Sequence, residues 1–553
     1  MLRELAALLE LRGGNKFKVR AFSRGAQALE AAKEPVEALV ASRRLTDLPG
    51  IGVALASQIE EIHRTGASEL LASLRAGLPS GVLELAQLPG VGLHALETLH
   101  AELGVGSLAD LRAAAEAGKL RTLKGFGEKS EAKILAAIAK YETSTPMLLL
   151  GEGHRLAWSL IDDLADVPGV QQVELAGELR RGCELSAGVS LVVTADAPPD
   201  LTKHPRFASG TCTAEGCDLR LADGNRVRIT HATAATRAAR MIEATGDEAH
   251  LAALRARGSL ATPARTEEEL YGLLGLPWIP PELREGAAFE APDDLVAVAD
   301  VRGFVHCHTT WSDGKHSIEE MAREAEARGA TFITITDHSK TAHYAGGLDA
   351  DGLRRQWDEI ARVQEQVGIR ILRGTEADIL ADGALDFPDA ILEQLDVIVA
   401  SIHNRYKQGE DAMTARLLRA VRWPGFKIWG HPLGRLVTSR PPVPCRVEEV
   451  LDALAASRGA VEINGSPARL DLEPRWCRAA RERGLSFVLS VDAHATRELD
   501  NLTYAVMTAR RAGVRRGEVL NARDAAAFSA AVRPGGKSTA SCRSAPSSND
   551  AMA

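Results

Sequence analysis

The chain has 553 residues, of which 45% are hydrophobic, so it can bury several cores and is expected to form about three to five domains. Its formal net charge of -8 at pH 7 excludes a uniformly basic coat for nucleic acid, although local contacts with phosphate stay open. Charged residues interrupt the first apolar run, which excludes a signal peptide, and no run approaches the roughly 20 apolar residues of a membrane span.

Three short glycine motifs recur in the amino-terminal region. They are LPGIG from Leu48, LPGVG from Leu88 and a weaker copy, LKGFG, from Leu123. A hydrophobic residue and a glycine pair make a tight hairpin that opens into a helix, and its free backbone amides can bind a phosphate whatever the base sequence. The repetition favours helix-hairpin-helix motifs over ordinary helix-turn-helix corners. The predicted DNA-binding positions are Gly50, Gly52, Gly90, Gly92, Gly125 and Gly127.

The seven cysteines are scattered and include no CxxC pair. Cys212 and Cys217 lie closest to each other, in a segment that we predict to be a loop. Because the number is odd and no pattern of pairs is visible, the cysteines indicate a reduced, cytoplasmic compartment.

Nine side chains that can bind a metal recur at the ends of hydrophobic runs in the last half of the chain. The runs are rich in β-branched and aliphatic residues and predict short buried strands, and amphipathic stretches between them predict helices. About seven such alternations indicate a closed β/α barrel, a fold that keeps its chemistry at the C-terminal strand ends. The nine candidates are His306, His308, Asp313, His338, Glu376, His403, His431, Asp492 and His494.

These candidates have the chemistry of a divalent metal centre. His306 and His308 are two apart on a predicted strand, so both imidazoles leave the same face and can bind one ion. Mixed imidazole and carboxylate ligands suit Zn, Mn or Fe, and the large number of ligands indicates two or three metals. Such ions activate water and neutralise both oxygens of an in-line displacement at phosphorus, so we predict hydrolysis of a phosphoester.

Two resemblances follow from these motifs. Residues from about 302 to 532 resemble the PHP (polymerase and histidinol phosphatase) domain through HCHTTWSDG, TDHS, ASIH, GHP with GR behind it, and DAH. With the hairpins, the opening FKVR segment, GELRRG and LYGLLGLPWIPPELREG, nearly the whole chain resembles the bacterial family X DNA polymerases that carry a PHP domain. The resemblance implies a monomeric DNA repair protein that acts on gapped, nicked or 3′-ended duplex in the cytoplasm, in association with the nucleoid.

The PHP resemblance also implies how the ligands divide among the metals. One ion would be bound by His306, His308, Glu376 and Asp492, a second by Glu376, His403 and His431, and a third by Asp313, His338 and His494. The chain departs from the family at Phe304, where such domains usually carry an aspartate. That position is not a ligand, so we expect an intact centre.

The fold implied by the resemblance is a multidomain α and α/β protein. Helix-hairpin-helix domains come first, a nucleotidyltransferase-like palm and thumb follow, and a distorted (β/α)7 barrel comes last. The expected bounds are 1–78 for a small DNA-end-binding domain, 79–145 for a fingers-like domain, 146–230 for the palm, 231–285 for the thumb, 286–300 for a linker, 301–533 for the barrel and 534–553 for a disordered tail.

The palm-like segment departs from the family where its chemistry should lie. A family X palm holds two magnesium ions with paired aspartates on one strand and a third aspartate on another. Here Gly188 and Ser190 occupy the paired positions, and only Asp218 remains as a catalytic carboxylate. We therefore do not expect a magnesium pair or efficient templated polymerisation, and we expect Gly188→Asp with Ser190→Asp to raise primer extension.

The site for the incoming nucleotide is altered in the same segment. The resemblance leaves Gly177, Arg180 and Arg181 as nucleotide-binding candidates, whereas Glu178 replaces a serine and sets a negative charge near a polyanion. The two arginines could instead form ordinary salt bridges, and the sequence leaves both interpretations open.

The resulting hypothesis is a DNA-processing enzyme whose polymerase part serves as a scaffold for a metal-dependent 3′→5′ exonuclease, with abasic-site or 3′-phosphate processing as related activities. Manganese or zinc is the expected metal. Lys340, His343 and Arg435 follow ligand motifs and are predicted to contact substrate phosphates. Two alternatives stay open: an active DNA polymerase that fills short gaps, and a non-enzymatic protein that binds DNA ends.

Overall fold

The computed structural model describes residues 1–534 apart from 31–35, 49, 77, 79–81, 87, 89–90, 144–146, 222 and 458. The chain divides into two compact units. The first comprises Met1–Met147 and Ala187–His231, and the second comprises Leu148–Ser186 and the residues from Ala232 on. Gly90 and the predicted tail beyond Pro534 lie outside the described residues. No helix within the described ranges is long and apolar enough to cross a membrane.

Short helices joined by tight turns form the amino-terminal part of the first unit. They are α1 (Leu2–Leu11), α2 (Lys16–Glu30), α3 (Val36–Ala41), α4 (Val53–Thr65), α5 (Glu69–Arg75), α6 (Val82–Leu85), α7 (Leu93–Leu103), α8 (Leu108–Glu116) and α9 (Glu128–Thr143). Their apolar faces share one core, in which Leu5, Leu45, Leu99 and Leu120 are almost completely buried. Burial of these faces stabilises helices that are too short to be stable alone.

The described residues of the three predicted hairpins share one closing hydrogen bond. In each, the amide three residues after the first leucine donates to that leucine's carbonyl over 3.1 Å, as between Phe126 and Leu123. Gly50 and Gly125 have φ values of +84° and +94°, a left-handed conformation that favours glycine. Helices α4, α7 and α9 begin directly after the hairpins. The predicted helix-hairpin-helix fold is confirmed, and the weaker third copy has the same closing hydrogen bond as the others.

A segment rich in strands follows. Its elements are β1 (Leu148–Leu149), α10 (Leu150–Ala165), β2 (Val170–Ala176), α11 (Gly177–Arg180), β3 (Leu185–Ser186), β4 (Val189–Ala195), β5 (Ser209–Thr213), β6 (Gly216–Arg220) and β7 (Arg226–Ala232). Within the first unit the strands lie in the order β4, β7, β6, β5, and β6 is antiparallel to both of its neighbours. In the second unit, β1 pairs with β3.

The structure corrects the prediction for the closest cysteine pair. Cys212 and Cys217 lie opposite each other on β5 and β6, with Cα atoms 4.1 Å apart, and their sulfurs form a disulfide. The predicted loop is wrong because strand pairing extends as far as Thr213 and Gly216, which leaves only a two-residue turn. The expectation of reduced cysteines therefore does not hold for this pair.

Three helices lead into a parallel barrel in the second unit. Helices α12 (Arg237–Thr245), α13 (Glu248–Arg255) and α14 (Glu267–Leu273) pack around the buried Tyr271. The barrel strands are β8 (Gly303–Cys307), β9 (Phe332–Ile335), β10 (Arg370–Asp378), β11 (Val397–Ser401), β12 (Ile428–Trp429), β13 (Ala460–Asn464) and β14 (Ser486–Ser490). The helices between and after them are α15 (Ile318–Ala327), α16 (Ala350–Gln364), α17 (Asp389–Leu392), α18 (Glu410–Val421), α19 (Val447–Ser457), α20 (Pro474–Glu482), α21 (Leu502–Arg511) and α22 (Ala525–Val532).

Seven parallel strands close this barrel. They follow chain order from β8 to β14, and the His308 amide donates to the Ala493 carbonyl over 2.8 Å, which joins the last strand segment to the first. The Phe528 ring of α22 stacks on Phe332 at the start of β9, so α22 covers the end of the barrel opposite to the predicted ligands. The predicted seven-unit barrel is confirmed.

Candidate metal centre

The nine predicted ligands come together at the C-terminal ends of the barrel strands. Asp313 is exposed, and the others are buried or half-buried. Within each of four overlapping sets, the ligand atoms lie within 4.8 Å of one another. The sets are His308, Asp313, His338 and His494; His306, Glu376 and His431; His306, His308 and Asp492; and His338, Glu376 and His403. These sets overlap the implied groups but divide the ligands differently: His431 falls with His306, His403 falls with His338, and His308 also joins Asp313, His338 and His494.

Glu376, on β10, connects the sets at the middle of the centre. Its Oε1 lies 2.8 Å from Nε2 of His431 and 3.1 Å from Nε2 of His403. Its Oε2 lies 2.9 Å from Nδ1 of His338 and 3.3 Å from Nε2 of His306. Both oxygens of Glu376 would therefore be available to hold divalent cations, in keeping with its place in two of the implied groups.

Unpaired buried atoms test whether metals fit this site. Nε2 of His306, both ring nitrogens of His308, Nδ1 of His338 and Oε2 of Glu376 are buried and make no hydrogen bond of acceptable geometry, although the last two atoms lie 2.9 Å apart. A buried polar atom without a partner costs roughly 1–3 kcal/mol, so several facing one another are unfavourable unless a ligand satisfies them. Imidazole nitrogens and carboxylate oxygens at these separations suit divalent cations.

The backbone is distorted at two ligands. His306 and Asp492, at the first and last strands, have φ values of +66° and +48° although neither is glycine. A register shift between Phe304 and Cys307 accompanies the first distortion. Such conformations cost about 1–3 kcal/mol each and persist where the surroundings impose them, often at functional sites. The regular alternation assumed in the sequence analysis is therefore replaced here by a bulge.

Two carboxylates that were not predicted from the sequence contact the Nδ1 atoms of ligand imidazoles. Oε1 of Glu462 lies 2.6 Å from Nδ1 of His306, and Oδ1 of Asp378 lies 2.5 Å from Nδ1 of His403. A carboxylate on one ring nitrogen fixes the tautomer and directs the other nitrogen to a metal. The available signals were a carboxylate inside the apolar run AVEIN, for Glu462, and a second carboxylate two residues after the ligand Glu376 in TEAD, for Asp378.

Burial and charge set the protonation of the ligands. Burial raises the pKa of Glu376, but the imidazoles of His403 and His306 outweigh it and hold that pKa well below its ordinary value. Burial, followed by the charge of His494, lowers the pKa of His308 to about 3. An ionised carboxylate and a neutral imidazole are the states that bind divalent cations, so both residues are ready to act as ligands at neutral pH.

Arg469 and Asn464 both contact the carboxylate of Asp492, one of the candidate ligands. Nε of Arg469 lies 3.2 Å from Oδ2 of Asp492, and Nδ2 of Asn464 lies 3.1 Å from the same oxygen. Nη1 of Arg469 is buried and has no hydrogen-bond partner. No metal-binding motif includes this arginine, so no local pattern singles it out in the sequence. It places a fixed positive charge beside the metal ligands.

The predicted phosphate-contacting residues have different environments. Lys340 and His343 are exposed in the loop after His338, and the neighbouring Tyr344 ring lies 6.2 Å from the ring of His338, so this loop borders the centre. Arg435, by contrast, is only 5% exposed and pairs with carboxylates. Lys340 and His343 stay candidates for substrate contact, whereas the interpretation of Arg435 is corrected because its guanidinium is already bound inside the protein.

Asp218, the remaining candidate carboxylate of the palm-like segment, does not lie next to Gly188 or Ser190. Asp218 is exposed on β6 and forms an ion pair of 3.2 Å with Arg228, and β7 lies between its strand and that of Ser190. Gly188 has a φ of +146°, and a Cβ there would lie 2.4 Å from the carbonyl oxygen of Arg226. The expectation that Gly188→Asp would raise extension is therefore corrected: the backbone leaves no room for that side chain.

The predicted nucleotide-binding arginines form internal ion pairs. Gly177, buried at the start of α11, has a φ of +68°. Arg180 donates two hydrogen bonds to Glu267, of 2.9 and 2.6 Å. Arg181 donates to the carbonyl of Thr245 and lies 3.3 Å from Glu285. The structure thus favours the salt-bridge interpretation for both arginines over contact with a triphosphate.

Glu267 should be important for stability. Burial raises its pKa, but the hydrogen bond from Arg180 and the charge of Arg284 lower it to about 2. We expect Glu267→Ala to reduce the free energy of unfolding by roughly 3–5 kcal/mol at pH 7, because Arg284 is completely buried and would lose its counter-charge. The stabilisation is present above the ordinary pKa of 4.5 and is lost as the pH falls toward 2.

Denaturant unfolding at pH 7 and pH 3 measures this effect. The expected loss is smaller at pH 3, and Glu268→Ala, at the exposed neighbouring position, should change little. Equal losses at both pH values would contradict the proposed charge contribution.

Family models match four parts of the chain. Residues 1–68 match a helix-hairpin-helix domain, and residues 82–140 match a SAM-like helix-hairpin-helix tandem. Residues 247–285 match the DNA polymerase beta thumb, and residues 305–466 match the PHP domain.

Curated relatives cover both the whole chain and the barrel alone. The chain is 32% identical to the DNA polymerase/3′-5′ exonuclease PolX of Bacillus subtilis (strain 168), over 95% of this chain and 96% of that protein. It is 30% identical to a probable phosphatase of Thermoanaerobacter sp. (strain X514), over 39% of this chain and 88% of that protein. A probable phosphatase of Caldanaerobacter subterraneus subsp. tengcongensis is 32% identical over 34% of this chain and 74% of its own length.

Proposed function

The chain belongs to the bacterial family X DNA polymerases that carry a PHP domain, and from this premise we propose that it is a metal-dependent 3′→5′ exonuclease on DNA. The observation that carries the proposal is the convergence of nine side chains on one barrel end, with buried ligand atoms that lack hydrogen-bond partners. The name of the Bacillus subtilis relative includes the same activity, and the phosphatase relatives share the barrel.

The residues around the centre have separate tasks in this proposal. Divalent cations, when bound, neutralise charge on phosphate oxygens and make water acidic enough to attack at neutral pH. Glu462 and Asp378 fix the imidazoles that face the cations. Arg469 adds a positive charge that can balance the charge growing on the phosphate. The mixture of nitrogen and oxygen ligands supports manganese or zinc, with two or three ions.

DNA would be held by the hairpins and the thumb-like helices, in keeping with their family matches. We propose a gapped, nicked or 3′-ended duplex as the substrate and a monomer as the active form. The hairpin amides bind phosphates without reading the sequence, which suits an enzyme that must act at many DNA ends. Processing of abasic sites or 3′ phosphates would use the same centre.

A DNA polymerase is the second candidate, because the thumb match and the name of the Bacillus subtilis relative favour it. Gly188 and Ser190 argue against it, since neither can replace an aspartate as a metal ligand. We therefore propose that templated addition is weak or absent.

The direct test of the exonuclease is a 5′-labelled oligonucleotide incubated with the purified chain and Mn²⁺. Stepwise shortening from the 3′ end supports the proposal. A 3′-terminal phosphate or abasic residue on a matched oligonucleotide then measures the finer preference. An intact label after prolonged incubation with Mn²⁺ or Zn²⁺ would exclude the exonuclease.

Substitution of the hairpin glycines is predicted to weaken the affinity for DNA. Gly50→Val with Gly125→Val should weaken DNA binding roughly tenfold, because a β-branched residue rarely adopts the left-handed conformation that directs the hairpin amides. Hydrolysis of bis(p-nitrophenyl) phosphate should be unchanged, since the barrel is untouched.

The control for this prediction is Gly66→Val, which introduces the same strain at a φ of +68° outside the hairpins. Fluorescence anisotropy with labelled duplex gives the affinities. A comparable loss of DNA binding in the control would mean that strain, and not the hairpin amides, causes the effect.

A further inference from the structure

The loop that carries Arg469 lies against Gly151 of the polymerase-like segment and is bound to Glu184 of the same segment through Arg435. This loop runs from Gly465 to Leu470, directly after β13. Its Arg469 lies 3.2 Å from Asp492, one of the candidate ligands. Whatever fixes the loop therefore also fixes a positive charge at the metal centre.

Arg435 holds the loop by its backbone. Its Nε donates to the carbonyl of Arg469 over 2.9 Å, and its Nη2 donates to the carbonyl of Leu470 over 2.6 Å. The remaining donors bind two carboxylates, Glu473 at 2.7 Å and Glu184 at 2.5 Å. Because two carbonyls and two carboxylates surround a side chain that is 5% exposed, the guanidinium has little freedom to move.

Glu184 belongs to the polymerase-like segment and lies 251 residues before Arg435 in the sequence. It directly precedes β3, whose pairing with β1 sets its position, and its carbonyl accepts a hydrogen bond of 3.1 Å from the Leu150 amide. The same pairing brings the start of α10 to the loop. A Cβ on Gly151 would lie 2.8 Å from the Pro467 ring, so only glycine allows this approach.

We propose that Glu184 is a positioning residue of the hydrolytic centre, acting through Arg435 to fix the loop that presents Arg469. The segment that corresponds to the start of a polymerase palm is then a structural part of the hydrolase. Glu184 does not touch the ligands, so its effect on catalysis passes through the backbone carbonyls of Arg469 and Leu470. This inference rests on the proposed function, because it concerns the same reaction.

The substitution Glu184→Gln tests the proposal in the full chain. We expect kcat to fall roughly tenfold with KM within about twofold, since loss of a supporting partner typically costs 10–100-fold in activity. Glu184→Asp, which keeps the charge, should recover most of that loss. In an Arg469→Gln background, Glu184→Gln should lower kcat by less than about twofold, because both changes remove the same contribution. The matched control is Glu152→Gln, on the exposed face of α10, which should leave kcat unchanged.

Both a 3′-ended oligonucleotide and bis(p-nitrophenyl) phosphate serve as substrates, with Mn²⁺ as the metal. Unchanged kcat in Glu184→Gln, or an equal loss with and without Arg469→Gln, would overturn the positioning role while the proposed function stands. If the unaltered chain hydrolyses only the generic ester, the exonuclease proposal fails, and the ester still decides the role of Glu184. Hydrolysis of neither substrate by the unaltered chain would overturn both.

Discussion

His308→Ala is expected to lower DNA hydrolysis by about 10³-fold and to leave DNA binding unchanged. The His308 ring belongs to two of the ligand sets and has both nitrogens buried without hydrogen-bond partners, so its removal weakens two cation sites at once. A bound cation contributes several kcal/mol of charge stabilisation, and each step of about 1.4 kcal/mol is a factor of ten in rate. Initial rates on a labelled oligonucleotide with Mn²⁺, together with anisotropy for DNA binding, measure the two effects.

Asp492→Asn should have a similar effect, because an amide is a weaker ligand than the carboxylate that it replaces. His204→Ala is the matched control, since this histidine lies in the first unit and outside every ligand set among the described residues. Full hydrolytic activity in both ligand variants would place the chemistry outside the barrel.

Templated nucleotide addition is expected to be absent or very slow, even after His308→Ala has removed the competing hydrolysis. Phosphoryl transfer by two metals depends on carboxylates that position the ions and neutralise charge, and Gly188 and Ser190 stand where the family resemblance implies two of the three. Asp218, the remaining candidate, is exposed and paired with Arg228. Extension of a labelled primer on a gapped template with all four nucleotides and Mg²⁺ measures this activity.

Restoring the aspartates is not expected to rescue addition. The positive φ at Gly188 is unfavourable for any residue with a side chain. An added Cβ would also lie only 2.4 Å from the carbonyl oxygen of Arg226. Ser190→Asp alone serves as the comparison, because position 190 lies on β4 and already carries a side chain. Robust extension by the His308→Ala chain would contradict this account and favour the polymerase alternative.

The barrel and its ligands were predictable because their signals are local in the sequence. Strands buried on both faces appear as short apolar runs, and polar residues that follow them fall on one edge of a parallel sheet. His338, His403 and His431 each follow such a run, and the structure brings them within reach of Glu376. The bulge at His306 was not predictable, because a one-residue shift leaves the apolar pattern unchanged.

The environment of the charged side chains was not predictable, because it depends on distant partners. Arg435 follows a ligand motif and looked like a phosphate contact, yet a carboxylate 251 residues away binds it. Arg180 likewise meets Glu267 across 87 residues. Sequence spacing identifies neighbours along a helix or strand, whereas such pairs depend on how the elements pack in three dimensions.

The central claim is that the chemistry lies in the barrel. A single primer assay, read on one gel, tests it most directly. A gapped duplex with a 5′-labelled primer is incubated with the unaltered chain and Mn²⁺, with and without nucleotides, and the label reports shortening and extension together. We predict shortening from the 3′ end in both lanes and no extended product. Extension with nucleotides, and no shortening without them, would contradict the account.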